Sequence, residues 1–305
     1  MATESILVGQ PNRWIQWRQE NASLIDEIRR ASYRFRQSKL SIVGLTAIVI
    51  LAVVAITGHL WVPYPEDADA VHPTLRFREP SAEHLFGTDE LGRDVFSRVV
   101  LGTRVSFQAG IIILVVAISI GVPLGAIAGY FGGRVNEIIM RVTDIMLTVP
   151  GIFLALSITA ALGPGILNAM LALSITWWPG YCRLVQAQVL SAREEDYVQA
   201  ARSMGASRKR IIFKHILPNI LSSIIIKASL DIGFAILNLA ALGFIGVGAK
   251  PPLPEWGAMI ATGRRFLPQY WWYSTFPGLA MFLTVFGFNM LGDGLRDVFD
   301  PRSRR

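Results

Sequence analysis

Long stretches without a charged residue restrict the fold of this chain more than any other feature. Residues 105–133, 145–182 and 266–292 contain no Asp, Glu, Lys or Arg. About 20 apolar residues suffice for a helix to cross a bilayer, and each stretch is longer than that. The runs are continuous, whereas strands of an outer-membrane barrel alternate in hydrophobicity. With 52% hydrophobic and 17% charged residues, the chain also has less charge than an average soluble domain. It is therefore predicted to be an all-α polytopic membrane protein.

Six transmembrane helices are predicted. The first covers residues 39–62, a segment too long and too far along the chain to be a secretory signal. The 145–182 stretch is long enough for two helices, and Gly163-Pro164-Gly165 is expected to form the turn between them. A fifth apolar segment covers about 217–246, and the sixth helix is expected to start near Phe276.

The positions of the basic residues predict the orientation. Seven Lys and Arg residues lie in the N-terminal part up to and including Lys39, seven lie in the 183–214 connection, and three follow in the tail (Arg302, Arg304 and Arg305). The 62–103 loop on the opposite side has eight acidic residues against four arginines. By the positive-inside rule, both termini are predicted to be cytoplasmic in a multi-pass inner-membrane protein. The net charge of +7 is then explained by orientation, and no nucleic-acid partner is expected.

The predicted organisation has five parts. These are a cytoplasmic N-terminal segment at 1–38, a first transmembrane helix at 39–62, an outer loop with a short surface helix at 63–103, a five-helix core at 104–296 that includes a cytoplasmic loop at 191–217, and a cytoplasmic tail at 297–305.

The 191–217 loop is predicted to contain a short helix. Ser191 and Glu194 have the spacing of a capping box, which places the start of the helix at Ser191. Glu195 then lies in the first turn, where the helix dipole favours a negative charge. Gly205 suits the position that ends a helix, and Ser207 can cap a second helix that leads to Pro218.

One face of this short helix is a candidate for docking. Tyr197, Ala200, Ala201 and Met204 fall at helical spacing, so they are expected to share a face. An amphipathic helix resting on the inner leaflet is the alternative interpretation. Membrane-surface helices usually carry bulky apolar side chains, however, and the two alanines favour close approach to a protein groove.

The loop resembles the EAA loop of ATP-binding-cassette importer permeases. The similarity lies in Gln199-Ala-Ala, Gly205 and Leu217-Pro218, although Gln199 replaces the usual glutamate and His215 replaces an aliphatic residue. In that family the loop is a coupling helix that sits in a cleft of the ATPase subunit. The resemblance implies an ATPase-coupling role for nine residues: Glu195, Tyr197, Gln199, Ala200, Ala201, Met204, Gly205, Leu217 and Pro218.

The resemblance covers about residues 40–302. The segments 84–98, 132–144, 251–257 and 292–301 are similar, in order, to those of the C-type permease of dipeptide, oligopeptide and nickel importers, a family of binding-protein-dependent inner-membrane components. It implies a six-helix type I importer permease, one half of a heterodimer with a second homologous permease. It also implies two cytoplasmic ABC ATPases, an extracytoplasmic substrate-binding protein and a lipid bilayer as surroundings. The expected function is import of dipeptides or short oligopeptides, with D-amino-acid dipeptides, glutathione or nickel as alternative cargo.

The chain has no motif for chemistry of its own. No glycine precedes a lysine, so there is no GxxxxGK[ST] phosphate loop. There is no HExxH, and Cys182 is the single cysteine. His72 and His84 in the outer loop are expected to be solvated rather than metal-bound. No catalytic residue, cofactor or metal is therefore predicted, and any ATP must be bound by a partner.

Charges inside the spans are the second group of candidates, because a charge at bilayer depth normally faces protein or water. Lys227 and Asp231 are four residues apart on the fifth span and can pair. They either hold the bundle together or line a translocation path for a zwitterionic substrate. Asp144, near the cytoplasmic end of the third span, is expected to pair with Arg141.

The outer loops give three further expectations. Leu91, Val95 and Val99 have helical spacing, which predicts a short surface helix in which Asp94 and Arg98 pair. That helix is interpreted as a structural cuff on the bundle, with a landing surface for a binding protein as the alternative. Trp256, Trp271 and Trp272 fit an interfacial aromatic belt, and their loop could also cap the path.

The sequence offers less support for two other functional classes. An ion-coupled secondary transporter usually has an internal repeat and intramembrane ion-binding groups, and this chain has three intramembrane charges and no evident repeat. An intramembrane enzyme would need a catalytic pair, for which Asp144 and Asp231 are the only candidates.

Overall fold

The computed structural model describes residue 29 and residues 32–299, and this part of the chain is almost entirely helical. Its nine main helices are α1 (Lys39–Trp61), α2 (Val95–Phe131), α3 (Gly133–Thr148), α4 (Gly151–Leu162), α5 (Ile166–Ala192), α6 (Asp196–Ser203), α7 (Arg208–Ile245), α8 (Trp256–Gly263) and α9 (Trp272–Phe299). Short 3₁₀ turns lie at Pro65–Ala68, Pro73–Leu75 and Arg264–Phe266. The all-α prediction is confirmed. Most of the predicted N-terminal segment, and the three tail arginines, lie outside the described residues.

Four helices of the described chain are long and apolar enough to cross a membrane: α1, α2, α7 and α9. The pair α3 and α4 would make a fifth if it counts as one span. Helix α5 has the length, at 27 residues, but its second half contains Tyr181, Arg183, Gln186 and Gln188. Six spans therefore stay a prediction, although the first helix and the Gly163–Gly165 break lie where the sequence places them.

The third predicted span is not a straight helix. Helix α3 ends at Thr148, α4 begins at Gly151, and the two are bent by 87°. Pro150 lies at the break, where its missing N–H prevents the backbone hydrogen bonding of a continuous helix. The sixth span also begins earlier than expected, at Trp272 rather than near Phe276.

Helices α2 and α5 pack along a seam of glycines. Gly121, Gly125 and Gly129 recur every four residues on α2 and are buried against α5. A Cβ at any of the three would overlap the α5 backbone, at the carbonyl oxygens of Trp178, Cys182 and Gln186 respectively. The absence of side chains therefore lets the two backbones approach closely.

The outer loop differs from the sequence expectation. The chain is not helical over residues 89–94, and α2 begins only at Val95. Asp94 caps this helix, since its carboxylate accepts from the Ser97 N–H at 2.7 Å. Asp94 therefore does not pair with Arg98, because its other oxygen lies 3.0 Å from Nδ1 of His84.

Arg98 instead joins the two outer loops. Its guanidinium is buried and donates to the carbonyl oxygens of Ala68, at 2.7 Å, and Pro252, at 3.3 Å. Its Nε lies 3.6 Å from the Asp89 carboxylate, which also accepts from Arg93 at 2.7 Å. Buried charges of this kind are stable only when paired and hydrogen-bonded.

The outer-loop histidines are not simply solvated, contrary to expectation. His84 is buried, and His72 lies 2.9 Å from the Asp67 carboxylate. Each histidine has a carboxylate partner. Within residues 32–299 no group of three metal-ligating side chains is close enough to hold an ion.

Only one of the three belt tryptophans is exposed. Trp256 and Trp272 are buried and donate to the carbonyl oxygens of Val99, at 3.0 Å, and Thr88, at 3.1 Å. Trp271 is half-exposed. The first two are thus structural links between the outer loops, because a buried indole N–H needs an acceptor.

Glu255 fixes the start of α8 from a buried position. Its two carboxylate oxygens accept from the N–H groups of Gly257 and Ala258, each at 2.8 Å. Burial raises the pKa of the Glu255 carboxyl, and the two N–H donors oppose that shift only in part.

Candidate functional site

The short helix of the 191–217 loop begins later than predicted. Ser191 belongs to the last turn of α5, which ends at Ala192. Helix α6 begins at Asp196 with Glu195 at its N-cap, and no side chain makes a capping bond there. The capping-box prediction is therefore wrong, because the α5 helix extends through Ser191 and its hydroxyl is not at a helix start.

The end of α6 agrees with the prediction. Gly205 adopts a left-handed φ of 78°, a conformation that costs a side-chain-bearing residue free energy. Its N–H donates to the Arg202 carbonyl at 3.0 Å, and the Ala206 N–H donates to the Ala201 carbonyl at 3.1 Å. These two bonds form a Schellman motif. Ser207 then caps the next helix, accepting from the Arg210 N–H at 3.4 Å.

The structure divides the predicted docking face in two. Ala201 is buried together with Val198, and both point toward the body of the protein. Tyr197, at 39% exposed, and Met204, at 81% exposed, point away from it with Ala200. The outward face of α6 is therefore Tyr197, Ala200 and Met204, while Ala201 fixes the helix to the bundle.

The base of α6 is tied to two other helices. The Gln199 amide donates to the Arg193 carbonyl at 3.2 Å. Arg193 in turn donates to the Gly129 carbonyl at the end of α2, also at 3.2 Å. A glutamate at position 199 could not donate to that carbonyl, since an ionised carboxylate only accepts. Gln199, which replaces the usual glutamate of the family, therefore makes a hydrogen bond that a glutamate could not make. Neither Arg193 nor Val198 was singled out from the sequence, because their roles depend on contacts with other helices.

Helix α7 begins with an irregular turn. Residues Ile211–Ile216 form a π-helical segment, after which Leu217 and Pro218 start the regular helix. Pro218 has no N–H to donate in this turn. The side-chain amide of Asn219, the next residue, donates to the His215 carbonyl at 2.9 Å. Ile211, Ile212 and Ile216 belong to the same buried cluster as Val198. The inner face of α6 therefore packs with the start of α7.

Lys227 and Asp231 do form the predicted pair. Lys227 Nζ lies 2.9 Å from Asp231 Oδ2. The Nζ also lies 5.1 Å from the centroid of the Tyr181 ring on α5, within reach of a cation–π contact. The sequence did not indicate Tyr181, because a single tyrosine in an apolar span gives no sign of its neighbour. Lys227 is 34% exposed and Asp231 is 15% exposed.

Asp144 has a different partner from the one predicted. It pairs with Arg183 on α5, while Arg141 lies 3.8 Å from Glu137. The preference for Arg183 follows from the packing of α3 against α5, which the local i, i+3 spacing could not reveal.

Known proteins are similar to this chain in both sequence and fold. Residues 121–305 match the family model described as "Binding-protein-dependent transport system inner membrane component", and residues 27–80 match the "N-terminal TM domain of oligopeptide transport permease C". A solved chain of the methionine ABC transporter MetNI, in inward-facing conformations, superposes with a TM-score of 0.56. That match covers 67% of this chain and 98% of the other at 18% identity, so it supports the fold alone.

Three curated relatives cover nearly the whole chain. A probable D,D-dipeptide transport system permease of Escherichia coli is 47% identical, over 89% of this chain and 90% of its own length. A dipeptide transport system permease of Alkalihalophilus pseudofirmus is 46% identical, over 90% of both chains. A glutathione transport system permease of Pectobacterium atrosepticum is 42% identical, over 88% and 89%.

These relatives are permeases and not enzymes, in agreement with the lack of a catalytic motif. The bundle of apolar helices is the fold expected of a membrane permease, which is what the matched relatives are. The chain belongs to the family of multi-pass inner-membrane components of binding-protein-dependent transport systems, with the N-terminal domain of the C-type permeases.

Proposed function

We propose that this chain is one of two permease subunits in an ATP-binding-cassette importer for dipeptides or short oligopeptides. The observation that carries the proposal is the outward face of α6, where Tyr197, Ala200 and Met204 project from a helix closed by Gly205. An exposed methionine beside a small alanine suits insertion into a protein groove better than contact with solvent. The names of the relatives support the peptide substrate.

A permease of this family works with ATPase and substrate-binding partners. We propose two cytoplasmic ATPase subunits, one of which receives the outward face of α6. The other permease is a homologue, so that the membrane part is a heterodimer. The binding protein delivers substrate at the outer loops. In this arrangement both termini of the chain and the 191–217 loop are cytoplasmic.

Movement of the ATPase would reach the membrane by two routes. Val198, which is buried in one cluster with Ile211 and Ile216, transmits displacement of α6 to the start of α7. Leu217 and Pro218 then pass it to the rest of α7. Gln199 and Arg193 transmit the same displacement to the end of α2 through the Gly129 carbonyl. Glu195, at the N-cap of α6, stays exposed and available to the ATPase.

Lys227 and Asp231 are proposed to line the translocation path. A charged pair that is partly exposed at membrane depth needs water or protein beside it. A peptide carries an ammonium and a carboxylate group, which are the complements of these two side chains.

A reconstituted transporter tests the proposal. The chain would be expressed with its second permease, ATPases and binding protein, and purified into proteoliposomes. We expect uptake of labelled L-dipeptides that stops without ATP. Uptake of D,D-dipeptides, glutathione or nickel instead would keep the importer and change its cargo. Uptake by this chain alone, driven by an ion gradient without ATP, would contradict the proposal.

A further inference from the structure

Polar side chains recur along one side of α7. Ser223, Lys227, Asp231 and Asn238 are separated by four, four and seven residues, so they fall within about 80° of arc on a helix that turns 100° per residue. All four are half-buried. We call these four residues the polar stripe. Phe234 lies within the same arc and is exposed.

The polar stripe extends across most of a membrane. Fifteen residues separate Ser223 from Asn238, which is about 22 Å along a helix. The hydrocarbon core of a bilayer is about 30 Å thick. A stripe of that length offers polar groups over most of the membrane thickness. It is therefore more than one isolated ion pair.

Helix α5 faces the same stripe. The Gln188 amide lies 3.5 Å from the Ser223 hydroxyl, and the Tyr181 ring lies beside Lys227. Gly180 is next to Tyr181, and a Cβ there would meet only the end of the Lys227 side chain, at 3.8 Å. Helix α5 thus places Gln188 beside Ser223 and Tyr181 beside Lys227. Gly180 leaves space around the Lys227 ammonium.

The opposite side of α7 is different in character. Leu221 and Ile225 are exposed and lie more than 100° of arc from Lys227. Exposed leucine and isoleucine are the expected lipid-facing residues of a span. Over these first turns the two sides of α7 therefore meet different surroundings, whereas further along the helix Ile236 and Leu239, on the side of Leu221 and Ile225, are buried.

We propose that the polar stripe, with Gln188 and Tyr181, forms one wall of an aqueous path for zwitterionic peptides, and that Lys227 and Asp231 bind the peptide's carboxylate and ammonium. This rests on the proposed importer function and adds the position of the path. Binding exchanges one ion pair for two, so no charge is left unpaired at membrane depth. Ser223 and Gln188 at one level, and Asn238 at another, offer hydrogen bonds to the peptide amide groups.

Removal of both charges separates this role from a structural one. Lys227→Met alone leaves the Asp231 carboxylate unpaired, which is expected to impair assembly. The double variant Lys227→Met/Asp231→Leu removes both charges with little change in volume, and assembly should recover. We expect the assembled double variant to take up dipeptide at least about tenfold more slowly than wild type, because the path no longer binds the charged termini. Uptake at the wild-type rate would show that the pair is only structural.

Cysteine labelling tests the path without any substrate. Cys182 is buried and is the only cysteine, so Cys182→Ser gives a background without thiols. Ser223→Cys and Asn238→Cys should react with a membrane-impermeant, charged thiol reagent about tenfold faster than Leu221→Cys and Ile225→Cys, since the reaction needs a thiolate in water. Equal rates at all four positions in the reconstituted complex would overturn the proposed wall. If labelling follows the predicted pattern but no peptide is carried, the importer's substrate class is wrong and the path is retained.

Discussion

The Gln199 side-chain amide donates to the Arg193 carbonyl across 3.2 Å, and the Arg193 guanidinium donates to the Gly129 carbonyl across the same distance. Two consecutive bonds therefore join α6 to the end of α2. The glutamine that departs from the family pattern is the donor of the first bond.

Replacement of Gln199 by glutamate should loosen α6. The carboxylate cannot donate to the Arg193 carbonyl, and loss of one hydrogen bond costs about 1 kcal/mol. We expect backbone hydrogen exchange of residues 196–204 in the assembled transporter to become about fivefold faster. Gln199→Met lacks the donor without adding charge and should behave alike. Unchanged exchange in both variants would show that the bond does not hold the helix.

Gly205→Ala should weaken the end of α6 for a purely conformational reason. A Cβ at Gly205 meets nothing within 4 Å, but its φ of 78° is left-handed, which costs alanine about 1 kcal/mol. We expect lower ATP-driven uptake per ATP hydrolysed, with partial rescue by Gly205→Asn. Gly278→Ala is the control, since this glycine lies inside α9, also has free space, and has no positive φ. Equal uptake per ATP hydrolysed in Gly205→Ala and Gly278→Ala would contradict the prediction.

Met204→Glu should separate the permease from its ATPase. The side chain is 81% exposed, so the substitution leaves the folding of the isolated chain nearly unchanged. An unpaired carboxylate buried in a protein groove is costly, and recovery of the ATPase on affinity purification should fall about tenfold. Leu85→Glu introduces the same charge on the exposed outer loop and should leave recovery unchanged. Full recovery with Met204→Glu would place the ATPase elsewhere.

Arg98→Met should destabilise the outer loops. The variant leaves the Ala68 and Pro252 carbonyls without this donor and the buried Asp89 carboxylate with one cation fewer. Breaking such a buried set costs about 3 kcal/mol. We expect the midpoint of thermal unfolding of the purified complex to fall by several degrees. Arg104→Met, at an exposed position on the same helix, should have little effect, and similar losses in both variants would argue against the special role of Arg98.

Glu255 should make stability depend on pH. Its pKa is raised in the folded state by burial, so the folded chain binds more protons than the unfolded chain. The stabilisation from protonation is present below the ordinary carboxyl pKa and is lost as pH rises through the raised pKa. Glu255→Gln keeps one acceptor and cannot ionise. Between about pH 5 and about pH 8, the wild-type complex should lose thermal stability relative to this variant. Glu79→Gln, at an exposed site, should leave the wild-type profile unchanged, and parallel profiles for wild type and Glu255→Gln would refute the prediction.

Local sequence patterns predicted the elements that local forces determine. The first helix, the glycine break at 163–165, the αL end at Gly205, the Ser207 cap and the Lys227–Asp231 pair all depend on neighbours within a few residues. Apolar run length predicted the membrane class, because backbone hydrogen bonds in lipid must be made within the helix.

Several features depend on tertiary contacts and could not be predicted from local sequence. Asp144 pairs with Arg183 on another helix, and Asp94 caps α2 beside His84 instead of pairing with Arg98. Trp256 and Trp272 are buried by loops distant in sequence. Ser191 had the pattern of a cap, but a longer helix continued through it. The 87° bend did have a sequence signal, Pro150, whose effect was not included in the prediction of the third span.

The glycine seam between α2 and α5 constrains how force can move through this subunit. At Gly121, Gly125 and Gly129 the α2 helix has no side chain, so α5 packs directly against its backbone and little soft material lies between the two helices. They should therefore turn together as a single rigid strut. Arg193 connects α6 to this pair at Gly129, one end of the seam. If α6 is the coupling helix, as proposed, its displacement should tilt α2 and α5 together. We therefore expect bending at two irregular segments beside this pair, the break next to Pro150 and the π-helical turn before Pro218.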